Sequence, residues 1–329
     1  MIEVSVIIPT YNRKHVLEKA LRALFSQTYP RSSYEVVVVD DGSSDGTEEM
    51  VGSAVGEAPC EFRYLRQEKR GPAAARNRGI TEAKGETVLF LGDDIVADKE
   101  LLKEHISSHQ KSLRANQAVL GFTTWHPEVK RTTFISYLDS TDLQFGYGSM
   151  EAPEDLSYHY FYSSNISLKR EFLLQNGIFD EDFKYPAYED SELGYRLKKR
   201  GLWIVLNRRA IAYHLHQLTY SRFRKRQRLA GYGAALFEAK HPELKGVLTR
   251  DLEALFGGVP PTGWAMLKLR IKEMLIMLHE WLHLPESVFF LDPFSAYGVL
   301  LMYHFYLGVA GGPSSVPESL RRHSDWEGR

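Results

Sequence analysis

Three pairs of neighbouring carboxylates stand out in the 329-residue sequence: Asp40-Asp41, Asp93-Asp94 and Glu189-Asp190. The first two come just after apolar runs at residues 36–39 and 88–91, and the third precedes an amphipathic stretch. An acidic pair at the carboxyl end of a strand puts hard oxygen ligands in the crevice where open α/β sheets collect their ligands. A Mg2+ or Mn2+ ion held by a carboxylate together with substrate phosphates suits that placement, and a sugar nucleotide would supply the diphosphate. Each pair alone also fits a plainer reading, because Asp favours strand-to-helix turns and helix N-caps. Glu189-Asp190 at a helix start would likewise favour the macrodipole. Their recurrence at three element boundaries is what points to chemistry.

The elements that must hold these residues follow from hydrophobic periodicity. Residues 4–8, 36–39, 62–65, 87–91, 119–123, 165–168, 203–206 and 210–213 read as strands. Val16, Ala20, Leu21, Leu24 and Phe25 fall on one helical face, and residues 73–83 and 191–200 read as further helices. Strands alternating with helices predict a mostly parallel sheet covered by helices. From about Ser221 onward the strand signals stop and helical runs at residues 266–282 and 296–307 take over, punctuated by Pro260, Pro261, Pro285 and Pro293, with a loose tail after Gly311. The chain is therefore expected to divide into residues 1–220, a nucleotide-binding catalytic domain, and residues 221–329, a helical C-terminal extension in contact with acceptor or membrane.

Composition narrows the partners. A net charge of -1 excludes a general nucleic-acid binder, which needs a clear excess of Lys and Arg. A lone cysteine, Cys60, cannot form an internal disulfide, and the first residues lack a basic segment followed by an apolar one, so a cytoplasmic protein is expected. Residues 294–309 are apolar but contain His304 and are short of the roughly 20 residues that span a bilayer, which predicts a buried or membrane-surface helix. Arg222, Arg224, Lys225, Arg226 and Arg228 form a basic run. It reads as a solvated helix face or, with Trp264, Trp281 and Tyr303, as an attraction to an anionic membrane or a lipid-diphosphate acceptor at the inner face of the membrane.

Several longer motifs share one order: residues 4–13 (VSVIIPTYNR), 39–43 (VDDGS), 71–77 (GPAAARN), 90–94 (FLGDD), Ser164-Asn165, 177–180 (GIFD) and 189–196 (EDSELGYR). Together they cover about the first 215 residues, and in this order the chain resembles the family 2 glycosyltransferases with a GT-A fold. The resemblance implies an inverting transfer from a nucleoside-diphosphate sugar, UDP-sugar by preference, to the hydroxyl of a glycan or lipid-linked acceptor in cell-surface polysaccharide or glycolipid biosynthesis. Pro9 and Tyr11 would line the nucleotide pocket, Asp41 would bond the base, and Arg76 would approach base or phosphates. Asp94 would ligate the metal with His214, Asp93 would face the ribose or sugar, and Asp190 would be the general base. Asn165 and Glu189 are candidates for the acceptor side, and Asp40 and His216 for further roles. Gly92 stands where many members carry an acid, which leaves the metal motif one carboxylate short. Arg76, near a helix start, would favour an anion, or would pair with Glu82 or Glu86.

Two rival classes make different demands. A nucleotidyltransferase that makes nucleotide sugars would be expected to carry a glycine-rich phosphate loop with Lys or Arg after the first strand, where this chain has Pro9-Thr10-Tyr11-Asn12-Arg13. A non-catalytic nucleotide-sugar-binding module would have no use for Asp190 beside a full donor set.

Overall fold

The structure is a computed structural model that describes residues 1–112, 114–148, 150, 154–249, 261–282 and 293–312. Pro260, Pro285 and the tail beyond residue 312, read above as breaks and a loose end, lie outside the described residues. The chain forms two compact units, one made of Met1–Val129 with Phe145–His216, the other of Lys130–Gln144 with Gln217–Arg329.

The first unit is built on one eight-stranded sheet: β1 (Val4–Thr10), β2 (Tyr34–Asp40), β3 (Glu61–Arg66), β4 (Thr87–Leu91), β5 (Ile95–Ala97), β6 (Gln117–Trp125), β7 (Asn165–Lys169) and β8 (Trp203–His214). Their order is β3-β2-β1-β4-β7-β6-β8-β5. β1 pairs in parallel with β2 and β4, β2 with β3, and β6 with β8, whereas β7 runs antiparallel to both β4 and β6 and β5 antiparallel to β8. Period-two alternation serves both faces. Val6, Ile8, Val36 and Val38 pack with Leu17, Leu21 and Leu24 of α1 (Lys14–Phe25) on one side. Ile7, Val88, Phe90 and Ile166 pack on the other with Ile80 of α3 (Pro72–Glu82) and with Leu193 and Leu197 of α7 (Glu189–Lys199). The remaining helices of this unit are α2 (Thr47–Val55), α4 (Leu101–Gln110) and α6 (Arg170–Asn176).

One pair of expected strands is corrected. Residues 203–206 and 210–213 belong to the single strand β8, and the polar Asn207-Arg208-Arg209 between them is a bulge rather than a turn. Gly121 of β6 faces Asn207 and the next residue, Phe122, faces Ile211, so residues 208–210 are extra in β8. The Ala210 carbonyl, out of the ladder, accepts from Asn165 Nδ2 at 3.2 Å.

The second unit joins α5 (Thr133–Ser140), which the sequence reading left without an element, to α8 (Tyr220–Lys240), α9 (Gly263–Leu282) and α10 (Pro293–Gly311). Phe134 of α5 meets Phe223 and Tyr297 at ring separations of 5.5 and 5.0 Å. Gly231 and Gly308 let the backbones of α8 and α10 touch, since a Cβ at either would strike a carbonyl of the other helix. Tyr297, Leu300 and Leu301 are buried, so the apolar stretch at residues 294–309 is a core helix of this unit. No helix among the described residues is long and apolar enough to cross a membrane. The basic run is not an open solvated face either: its residues are half-buried, Arg224 pairs with Glu273 at 2.7 Å and Arg226 bonds Gln144.

Candidate active site

β1, β2 and β4 are parallel, and the two reversals at β7 cancel, so β8 points the same way. Their carboxyl ends therefore share one edge of the sheet, which brings Thr10, Asp40-Asp41, Asp93-Asp94 and His214 to it. Thr10 ties two of the acidic pairs together: its carbonyl accepts from the Asp41 N–H at 2.9 Å and its hydroxyl donates to Asp93 Oδ2 at 2.8 Å. Arg13, just before α1, donates to Asp93 Oδ1 at 2.9 Å and to Asp94 Oδ2 at 2.8 Å. Gly92 is explained by the same crowding. A Cβ there would lie 2.9 Å from Asp94 Oδ1, so any larger residue at this position would crowd the Asp94 carboxylate.

His214 and His216 both turn to that carboxylate. His214 Nε2 lies 3.1 Å and His216 Nδ1 3.5 Å from Asp94 Oδ2. The three side chains can each offer one ligand atom within 4.8 Å of the others. Burial works to raise the Asp94 carboxyl, but Arg13 and then His214 and His216 outweigh it and hold it well below the usual carboxylate range. Burial pushes His216 down, against the pull of Asp94. The anionic carboxylate and neutral imidazole that result are the forms that ligate cations. His214 Nδ1 and His216 Nε2 have no hydrogen-bond partner among the described residues. Any cation held by Asp94 contends with Arg13 for the same oxygen. Arg13 is the site residue that the sequence reading missed, because nothing in the local run Pro9-Thr10-Tyr11-Asn12-Arg13 announces partners 80 and 81 residues away.

At the β2 end, Asp40 is fully buried and turned inward, where Oδ1 accepts from the Ser43 N–H at 2.8 Å and Oδ2 from the Tyr64 hydroxyl at 2.5 Å. Both of its oxygens are thus engaged in shaping the turn. Asp41 Oδ1 accepts from Gln67 Nε2 and the Arg70 N–H, and Oδ2 from the Gly71 N–H, each at 2.8 Å. A carboxylate has about four lone-pair sites, so one, on Oδ2, is left for another donor. Pro9 faces Val39 in the β1/β2 ladder, and the Lys69 ammonium sits 4.1 Å from the Tyr11 ring centroid.

The remaining predicted residues lie on the α3 and α7 side. Arg76 is buried and pairs with neither Glu82, which takes Arg63, nor Glu86, which takes Lys169. Its partner is Glu189, at 3.1 Å. Arg76 Nε and Glu189 Oε2 are left without partners among the described residues. Burial, and then the neighbouring Asp190 charge, raise the Glu189 carboxyl to about 7 against the pull of Arg76. Asp190, in the first turn of α7 and half-buried, is aimed by the Ser191 N–H on Oδ1 at 2.8 Å and the Ser163 N–H on Oδ2 at 3.4 Å. Ser164, next in the chain, accepts from the Gly92 N–H, which links this side to the metal motif. Asn165 is a correction: it is fully buried and engaged by His105, Ala210 and Thr123, so it braces the sheet and cannot reach an acceptor.

Comparisons with known proteins bear on the family and the fold. The family described as Glycosyl transferase family 2 matches residues 5–173, which spans β1 through β7. The chain is 29% identical over 254 residues to the uncharacterized glycosyltransferase YfnE of Bacillus subtilis, covering 64% of each chain. It is 31% identical over 226 residues to validoxylamine A glucosyltransferase of Streptomyces hygroscopicus subsp. jinggangensis, covering 62% of this chain and 53% of that one. The chain thus spans about half to two thirds of the length of these relatives. In fold it is similar to the mannosyltransferase PcManGT from Pyrobaculum calidifontis in complex with GDP-Man and Mn2+, with a TM-score of 0.62 at 18% identity over 94% of this chain and 86% of that one. It is also similar to Staphylococcus aureus TarS 1–349 in complex with UDP, with a TM-score of 0.55 at 17% identity over 93% and 90%. With more than half of its length matched by the family and its acidic pairs gathered where a GT-A sheet ends, the chain belongs to glycosyl transferase family 2.

Proposed function

We propose that this chain is an inverting, metal-dependent glycosyltransferase that moves a sugar from a nucleoside-diphosphate sugar to an acceptor hydroxyl, with a glycan or lipid-linked acceptor and a role in polysaccharide or glycolipid synthesis. The observation that carries this reading is the gathering of Asp94, His214 and His216 at one sheet edge, linked through Gly92 and Ser164 to the flank that holds Asp190.

Asp190 keeps acceptor capacity beyond its two backbone donors. It would take the acceptor proton as the new bond forms at the anomeric carbon on the face opposite the leaving diphosphate. Inversion follows from a single displacement with no covalent enzyme intermediate. A divalent ion held by Asp94 with His214 and His216 would neutralise charge on the departing nucleoside diphosphate. The donor set mixes a carboxylate oxygen with imidazole nitrogens, which suits Mn2+ better than the all-oxygen preference of Mg2+. Mn2+ in the fold relative PcManGT is in keeping with that choice. Arg76, whose pairing with Glu189 uses Nη1, is the candidate for a phosphate contact through its remaining donors.

Asp41 bears on the base. One remaining lone pair fits the single imide N–H of uracil better than the adjacent pair of donors on the guanine edge, which favours a UDP-sugar. Release of nucleoside diphosphate from a panel of UDP- and GDP-sugars with Mn2+ tests the reading. Asp190→Asn should lower kcat about a hundredfold or more with donor affinity unchanged. Release of pyrophosphate would point to a nucleotidyltransferase, and near-normal transfer by Asp190→Asn would remove the proposed base.

A further inference from the structure

The second unit carries a feature that the transfer reaction leaves unused. Helix α9 is amphipathic in an unusual sense, because the side turned to solvent is the apolar one. Trp264 (78% exposed), Leu267, Ile271, Met274 (60%), Leu278 and Trp281 (73%) are all exposed. At about 100° per residue these six fall within an arc of roughly 100°, a stripe about 26 Å long with a tryptophan at each end. The opposite side is the packed one, where Leu269, Ile276 and His279 are buried.

Charge decides what such a face fits. Both acidic residues of the helix point away from the stripe: Glu273 takes Arg224 and His304, and Glu280 accepts from the Tyr220 and Ser221 N–H groups. Two of the helix's three Lys and Arg residues stand at the rim, the half-buried Lys272 lying further round. Lys268 falls just past one edge of the apolar arc and Arg270 just past the other, and both are exposed. Pairing this helix with its counterpart in a second copy would bring these rims together with neither acidic residue of the helix on the stripe to receive them, whereas a layer of anionic headgroups complements both. Tryptophans suit the boundary between headgroups and acyl chains. The helix is not long and apolar enough to cross a bilayer, so it would lie in the surface plane.

We propose that the exposed stripe of α9, rather than the basic run of α8, is a docking face for the surface of an anionic lipid bilayer. The apolar row is buried among the acyl chains and Lys268 and Arg270 meet lipid phosphates. The face acts independently of donor binding and catalysis.

Co-sedimentation of the full chain with phosphatidylcholine vesicles, with and without phosphatidylglycerol, tests this without any turnover. Binding should require the anionic lipid and weaken as salt is raised. It should fall roughly tenfold or more in Lys268→Glu/Arg270→Glu and be lost in Ile271→Glu/Leu278→Glu. These positions are exposed, so the melting temperature should hold in all variants. Three results would overturn the proposal: vesicles that retain none of the protein; variants that turn a dimer into a monomer, which would assign the face to a second copy; or variants that melt several degrees lower, which would mean that the chain covers the stripe itself.

Discussion

His105 and His109 on α4 and His214 and His216 at and just past the end of β8 are two histidine pairs of the same unit, all buried except the half-buried His216, yet they meet opposite surroundings. The inner pair faces neutral partners that fix the direction of every bond. Asn165 Oδ1 only accepts, so His105 Nε2–H donates to it at 2.9 Å, and His105 Nδ1 accepts from the Ser167 hydroxyl at 2.8 Å. The same hydroxyl oxygen accepts from His109 Nε2–H at 2.9 Å. Burial holds both imidazoles neutral, His105 down to about 4 and His109 down to about 3. The outer pair instead converges on a single anionic oxygen beside a guanidinium; two of its ring nitrogens are unpartnered among the described residues, against one, His109 Nδ1, in the inner pair. What separates a ligand from a brace is thus the charge of the group a histidine faces and whether its neighbours compete for one atom, rather than its burial. The two are also connected. Asn165 passes the inner network on to Ala210 in the β8 bulge, four residues before His214, so one hydrogen-bonded path joins the two pairs.

Asp94→Asn is expected to have the largest effect. It removes the anionic centre on which the outer pair converges, and transfer should fall about 100- to 1,000-fold. Mn2+ should raise the melting temperature of the parent protein and no longer that of the variant, which a thermal-shift titration reads directly. Equal metal-induced shifts in both proteins would mean that the outer pair is no different in kind from the inner one. Asn165→Ala should do the reverse. It strips His105 and the Ala210 carbonyl of their partner, costs about 3 kcal/mol in chemical denaturation, and leaves Mn2+ binding to the folded protein nearly intact. A variant that keeps its stability but loses metal would show that positioning of β8, not support of the core, is the main service of this network.

The smallest effect is a slope. The inner histidines titrate near 4 and 3 when folded but near 6.5 in an unfolded chain. Between those values the unfolded state binds protons that the folded state refuses, so stability present at neutral pH is lost as pH falls below about 6.5. His109→Gln should make this acid limb shallower by up to about 1.4 kcal/mol per pH unit, measured as unfolding free energy against pH. An unchanged limb would place the proton uptake elsewhere.

Much of this arrangement is legible in the sequence, and the exceptions have physical causes. Apolar runs followed by acidic pairs mark the ends of β2 and β4, because a strand buried on both faces is continuous in hydrophobicity and its ligand-facing end is abruptly polar. Helix α5 escapes notice because it is only eight residues long, although Phe134, Tyr137 and Leu138 do keep a helical spacing, and β5 because three residues hold no pattern. The bulge in β8 mimics a turn, since polar residues 207–209 interrupt two apolar runs. Arg13 and the inner histidines are silent for another reason. Their roles come from partners about 60 to 80 residues away, and no local rule of spacing encodes such meetings. The sequence order Glu189-Asp190 identifies the acidic pair but not its division of labour, in which one carboxylate is buried against Arg76 and the other stays half-exposed.

The two-segment make-up of the helical unit has a practical consequence for anyone cutting or grafting this protein. A stop codon after His216 would not excise that unit cleanly. It would leave Phe134 and Tyr137 behind in mid-chain, deprived of the aromatic rings of Tyr220, Phe223 and Tyr297 that now cover them, as a sticky remnant prone to aggregation. Chimaeras between relatives must therefore exchange both fragments together.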